Sequence, residues 1–282
     1  MRALITGASG MLGRDLQDAL AGHEVTALGR ADLDVTDATA VAAAVAGHDV
    51  VFNCAAYTKV DDAEADEATA YAVNATGTAN LASACAATGA RLVTVSTDYV
   101  FDGHASAPYA EDRPRDPLNA YGRTKAAGEE LALAAHPGGT YIVRTAWLYG
   151  EHGPNFAATM LKLAAAKDTW SVVDDQVGQP TWTADLARKL VELVEADAPA
   201  GIYHGTNAGQ ASWFEFARAV LAESGLDAER ITPTDSSSFV RPAPRPAYSV
   251  LGHDAWRAAG LEPMRDWREA LHDAVTSGAV SG

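Results

Sequence analysis

Tyr121 and Lys125 stand four residues apart in the stretch "NAYGRTK" (119–125), at the start of a helix-favouring run. Residues at i and i+4 share a helix face, about one turn apart, which would set a phenol beside an ammonium group. That pairing is acid–base chemistry in outline, because a neighbouring cation favours the phenolate and lowers a pKa that is otherwise about 10. Tyr-x-x-x-Lys is also common in helices that only pack, so its meaning depends on the surroundings.

A second such stretch is "ITGASGMLGRDL" (5–16), with Gly7, Gly10 and Gly13 between a predicted strand and a predicted helix. The spacing is G-x-x-G-x-x-G, and its mechanics are those of a dinucleotide loop. A tight turn leaves the strand, the backbone approaches a pyrophosphate, and a helix N-terminus meets negative charge. Met11 and Leu12, between the last two glycines, are counted with this loop. At the end of the next strand, "LGRADLDV" (28–35) offers Arg30 where an NAD site usually offers a carboxylate, and Arg14 follows the third glycine. Guanidinium there suits a 2′-phosphate, so NADPH is favoured with NADH possible. Asp34 and Val35 would flank the adenine, and the plain alternative for Arg30 is a solvated surface charge.

The elements that must position these residues follow from pattern. Apolar runs at 2–6, 24–29, 49–56, 91–96 and 140–150 read as strands, and they alternate with Ala-rich helical stretches around 37–47, 66–88 and the Tyr121 run. Strands that are apolar throughout imply a parallel sheet covered on both faces. The fold class is therefore α/β, a Rossmann-like doubly wound parallel sheet with a smaller C-terminal substrate-binding lobe. Residues 1–150 form the dinucleotide-binding domain, with 170–200 returning to it, and 151–282 form mainly the second lobe. The segment "PTDSSSFVRPAPRPAYS" (233–249) reads as a loop of limited regular structure.

The chain has 282 residues, 48% of them hydrophobic, and a formal net charge of −16. Such acidity argues against nucleic acid and anionic membranes as partners. No stretch reaches the roughly 20 apolar residues of a membrane span, and no signal peptide is apparent. Cys54 and Cys85 are expected to be reduced thiols, which places the protein in the cytoplasm. Neither His nor Cys clusters at metal-ligand spacing.

With the glycine loop at the N-terminus, "NAYGRTK" resembles the Tyr-x-x-x-Lys of the extended, sugar-nucleotide-modifying short-chain dehydrogenase/reductases. The stretches "CAAYTKVDDAE" (54–64), "STDYVFDG" (96–103), "YGRTKAAGE" (121–129), "RTAWLYG" (144–150), "GPNFAATML" (153–161), "DQVGQPTW" (175–182) and "RPAYSVL" (245–251) narrow the resemblance. In this order they are similar to the dTDP-4-dehydrorhamnose reductase family over nearly the whole chain.

The resemblance implies NADPH-dependent reduction of the 4-keto group of a dTDP-4-keto-6-deoxyhexose, with dTDP-4-dehydro-L-rhamnose the favoured dTDP-sugar substrate. It assigns Thr97, Tyr121 and Lys125 to catalysis: Thr97 donates to the carbonyl oxygen, Tyr121 gives the proton, and Lys125 tunes Tyr121 and holds the nicotinamide ribose. Ala55, Ala56 and Tyr57 fall beside the nicotinamide, and Thr58 offers a second hydroxyl near the substrate. Asp98 is followed by Tyr99, where related 4,6-dehydratases carry Asp-Glu, so elimination of water is disfavoured. Tyr99 either contacts the sugar or packs, and Trp147 either borders the sugar or plugs the core. Asn155 is a further substrate-loop candidate. Because the chain is acidic, Arg241 and Arg245 are expected to supply the local positive charge for a diphosphate. Some relatives dimerise around magnesium. Asp15 and Asp185 stand where Glu would be expected, so no metal is predicted and a homodimer stays open. A related nucleotide-sugar 4-ketoreductase or epimerase of secondary metabolism and a non-catalytic NADP-sensing regulatory subunit are the alternatives, and the intact Thr97, Tyr121 and Lys125 argue against the last.

Overall fold

A computed structural model describes residues 1–281. Five strands arise in the first half: β1 (Arg2–Thr6), β2 (Glu24–Leu28), β3 (Val50–Asn53), β4 (Arg91–Thr97) and β5 (Thr140–Thr145). With a sixth strand, Gly201–His204, they form one six-stranded sheet. Its order is sixth strand, β5, β4, β3, β1, β2, with every pairing parallel. β1 hydrogen-bonds to both β2 and β3, so the winding reverses there and a crevice opens beyond the carboxyl ends of β1 and β3. That switch point is where an open α/β sheet accepts ligands.

Both faces of the sheet are covered, which is why β3 and β5 are buried along their whole length. On one face, α1 (Met11–Ala19) and the helix Thr183–Glu195 bury Leu12, Leu16, Leu186 and Leu190 together with Ile5 and Phe52. On the other, α2 (Ala38–Val45) and the helix Thr78–Thr88 bury Val41, Val45 and Leu81 against Leu4 and Val51. The second lobe has its own aromatic core, including Tyr149, Phe216 and Trp267. No helix among the described residues is long and apolar enough to cross a membrane.

Two expectations need revision, and the bounds of a third are sharpened. Residues 170–200 do not return to the sheet as a block: Trp170–Val173 pairs with Ile231–Thr234 in the second lobe, while Thr183–Glu195 covers α1. The 233–249 loop begins inside that strand and makes a 3-10 turn at Ser236–Ser238 before becoming irregular. The helix expected over 66–88 is broken into Glu67–Tyr71, a π-helical turn Ala72–Gly77, and Thr78–Thr88. A π turn widens the helix and often marks a functional site. Here it serves Asn74.

Candidate active site

The glycine loop has the shape its spacing implies. Gly7 turns at φ 68° directly beside the β3 exit, where a Cβ would lie 2.7 Å from the Ala55 nitrogen. A Cβ on Gly13 would lie 2.8 Å from the Ala8 Cα, so the helix closes on the loop only without a side chain. Gly10 caps α1 with no side-chain hydrogen bond, which leaves the first N–H groups of the helix open to an anion. These features fit a dinucleotide. The Leu12 side chain points into the core, so it can serve a phosphate only through its backbone, and Met11 is half-buried.

At the adenosine end, Arg30 is exposed and forms none of the ion pairs among the described residues. Arg14 leans on the Ser9 carbonyl at 3.4 Å. Asp34 is turned to Thr36, accepting from its N–H at 2.9 Å and its hydroxyl at 2.8 Å. Val35 is buried beneath Gly77.

The tyrosine helix, Ala120–Ala135, starts at Asn119, whose side chain accepts from the Gly122 N–H at 2.8 Å. This cap lays Tyr121 and Lys125 along the end of β4. The Tyr121 phenol is hydrogen-bonded to Thr97, and Lys125 Nζ donates to the Val95 carbonyl at 2.6 Å. Thr97, Tyr121 and Lys125 thus meet at one point, with Ala55 and Cys54 at the neighbouring strand exit. The expected electrostatics differ. Burial pushes the Tyr121 phenol up to about 12, the Thr97 hydrogen bond pulls the other way, and Lys125 is not among the charges acting on it. Burial also draws the Lys125 ammonium down to about 8, with Glu129 and Cys54 opposing. The lysine head is turned toward the strand, and burial holds the phenol in its protonated form.

The segment after β3 is held by a residue the sequence reading passed over. Asn74, on the π turn, accepts from the Tyr57 N–H at 2.8 Å and donates to its carbonyl at 3.1 Å and to Thr124 at 3.0 Å. Ala55, Ala56 and Tyr57 are half-buried there, and Thr58 is exposed. No local motif announces Asn74, because its partners lie 17 and 50 residues away.

Asp98 is buried and accepts from the Thr97 hydroxyl at 2.9 Å. Burial pushes its carboxyl up to about 6 against hydrogen bonds from Ser249 and Thr97. The Tyr99 ring meets Tyr121 edge to face, centroids 5.9 Å apart. Arg245 and Asp61 also lie close enough to bear on Tyr99, which brings the second lobe toward Thr97 and Tyr121.

On that second side, Trp147 adopts φ 48°, a region that non-glycine residues rarely occupy. Its indole stacks on Trp213 at 3.5 Å between centroids and 10° between planes. Gly178 presses on the other part of the ring, where a Cβ would approach to 2.6 Å. Asn155 is engaged locally. It caps the helix Phe156–Ala166, accepting from Ala158 at 2.9 Å and donating to Gly150 at 2.9 Å, because an uncapped helix start needs such a partner. Arg245 is partly committed, donating to Asp61 at 2.8 Å, whereas Arg241 is exposed. Asp185 pairs with Arg265 at 2.8 and 3.1 Å and with Arg188, and Asp15 lies by Thr183.

The model of the family described as RmlD substrate binding domain matches residues 1–279. The chain is 55% identical over 281 residues to the dTDP-4-dehydrorhamnose reductase of Streptomyces griseus, covering 97% of this chain and 92% of the relative. It is 50% identical over 277 residues to the dTDP-4-keto-6-deoxy-D-glucose reductase of Streptomyces niveus, covering 97% and 96%. The crystal structure of dTDP-4-dehydrorhamnose reductase from Bacillus anthracis in complex with NADP superimposes with a TM-score of 0.94 at 38% identity, covering 98% of this chain and 99% of that one.

Proposed function

The chain belongs to the RmlD substrate binding domain family, and from that premise we propose that it is an NADPH-dependent oxidoreductase reducing the 4-keto group of a dTDP-4-keto-6-deoxyhexose. dTDP-4-dehydro-L-rhamnose is the first choice, since the Streptomyces griseus and Bacillus anthracis proteins are named dTDP-4-dehydrorhamnose reductases. The observation that carries the reading is the meeting of Thr97, Tyr121 and Lys125 at the switch-point end of the sheet, beside a glycine cradle without side chains.

NADPH, when bound, supplies a hydride to the carbonyl carbon. The chain's residues do the rest. The open N-terminus of α1 and the loop from Gly7 to Gly13 would hold the pyrophosphate, and Arg30 the 2′-phosphate. Lys125 would exchange its strand carbonyl for the nicotinamide ribose hydroxyls. Thr97 would turn its hydroxyl from Asp98 to the ketone oxygen, and Tyr121 would deliver its proton there as alkoxide develops. A phenol held up at about 12 is fully protonated near neutrality and is still a far stronger acid than an alcohol, so it is loaded for reduction.

Replacing Tyr121 by Phe keeps the ring and removes that proton. Consumption of NADPH with a panel of dTDP-4-ketosugars should fall by roughly 10²–10⁴ in kcat, with cofactor affinity unchanged. Turnover at the parent rate would remove Tyr121 from the reaction.

A further inference from the structure

Three consecutive residues at the end of β4 are tied to three successive turns of the tyrosine helix. Thr97 is hydrogen-bonded to Tyr121, the Val95 carbonyl accepts from Lys125 at 2.6 Å, and Ser96 Oγ donates to Glu129 Oε1 at 2.5 Å. Tyr121, Lys125 and Glu129 stand at i, i+4 and i+8 and so form one stripe along the helix. Only Glu129 has no part in the chemistry described above, yet it is the most fully buried of the three, 2% exposed.

Its surroundings are built with care for charge. Arg144 Nε donates to Glu129 Oε1 at 2.9 Å and Arg144 Nη2 to Oε2 at 2.7 Å. Arg115 adds a third contact at 3.3 Å from the rim. Arg144 is itself buried, beneath the Phe101 ring, and supplies the opposite charge that a carboxylate this deep requires. Beyond it, His204 donates Nδ1–H to the Gly252 carbonyl at 2.9 Å and presents Nε2 to Arg144 at 3.4 Å.

We propose that Glu129 is a positioning residue for the reduction: through Ser96 and Arg144 it fixes the tyrosine helix on β4, and through its charge it holds the Lys125 head group ready for the cofactor. The inference rests on the reductase reading, in which Lys125 meets the nicotinamide ribose. The charged and titratable groups acting on Lys125 are Glu129 from its own helix and the Cys54 thiol from the β3 exit, with Arg144 and Arg115 behind Glu129. Cys54 and Tyr121 are each pushed up to about 12 and stay neutral across the working range. Glu129 is therefore the charge that keeps the lysine protonated against its burial.

The test is the pH dependence of NADPH affinity, read by the cofactor's fluorescence with the full chain and no ketosugar. In the parent, affinity should fall as pH rises through about 8, where Lys125 loses its proton. In Glu129→Gln the fall should begin about one pH unit lower, the size expected when an opposite charge beside a titrating group is removed. That variant leaves Arg144 uncompensated and is at risk of misfolding. The double variant Glu129→Gln, Arg144→Met removes both charges and with them that penalty, and should show a displacement in the same direction, smaller because the repulsion between Arg144 and Lys125 is lost as well. Competitive labelling of Lys125 by acetic anhydride, read by mass spectrometry without cofactor, should report the same shift. A labelling midpoint unmoved in the folded double variant overturns the proposal. A labelling shift in the variants together with a folded parent that does not bind NADPH would instead sink the reductase reading.

Discussion

The Asp61 carboxylate accepts a hydrogen bond from Arg245 Nη1 at 2.8 Å, joining residues 184 positions apart and bringing the second lobe's loop onto the helix Val60–Ala65. Arg241 stands 3.9 Å from the same carboxylate. The two arginines hold Asp61 below the usual carboxylate range, Arg245 most strongly. If this loop meets the diphosphate, Asp61 is its competitor. Arg245→Ala should raise the Kd for dTDP about tenfold, and Asp61→Asn should lower it, because the guanidinium no longer has a carboxylate to leave. Isothermal titration with dTDP alone checks both, and equal affinities in parent and variants would exclude the loop from the site.

Arg30 governs a separate choice. It is exposed at the end of β2 with no ion-pair partner among the described residues, so it is free to meet a 2′-phosphate. Arg30→Asp should weaken NADPH by about tenfold and leave NADH level or improved. The ratio of the two dissociation constants is the quantity to measure.

Asp98 makes stability depend on pH in the less common direction. Its folded pKa, about 6, lies above the ordinary value of 3.8, so the folded chain binds a proton that the unfolded chain releases. Stability is therefore undiminished below about pH 4, declines as pH rises toward 6, and stays reduced above it. Asp98→Asn should remove that decline and gain about 2–3 kcal/mol at pH 8 but little at pH 4. Urea unfolding at the two pH values would test it, and an equal effect at both would assign the change to packing.

Trp213 backs Trp147 in a parallel stack, with Gly178 pressing elsewhere on the indole. Trp213→Ala should release the Trp147 ring, raise the KM for the ketosugar about tenfold, and leave NADPH binding unchanged. Trp213→Phe should restore much of the loss. A kcat effect without a KM effect would contradict a sugar-facing platform.

Sequence carried the parts of this site that are local. A glycine loop between strand and helix needs only a few consecutive residues, and Tyr121 with Lys125 needs only one helical turn. Alternation of apolar strands with Ala-rich helices was enough for the parallel sheet. What could not be read depends on long-range contact: Asn74 reaching Tyr57, Asp61 reaching Arg245, and Trp213 lying on Trp147. Glu129 is the intermediate case. It stands one turn beyond Lys125 in "YGRTKAAGE", but its partner Arg144 lies on another strand. Spacing fixes which face of the helix Lys125 occupies, not where its head group ends, which here is the Val95 carbonyl. The cap made by Asn155 belongs to the same class, since its side chain is engaged by the backbone of the helix it starts.

The placement of the sixth strand has a bearing on how the protein is made. β5 finds its outer neighbour only at Gly201–His204, and the apolar face of α1 is covered only by Thr183–Glu195. A ribosome that has released the first 150 residues has therefore presented a sheet with an open edge and an uncovered helix. Such surfaces invite pairing with other nascent chains. The sheet is completed, and α1 is covered, only by residues synthesised after Trp170–Val173 of the second lobe.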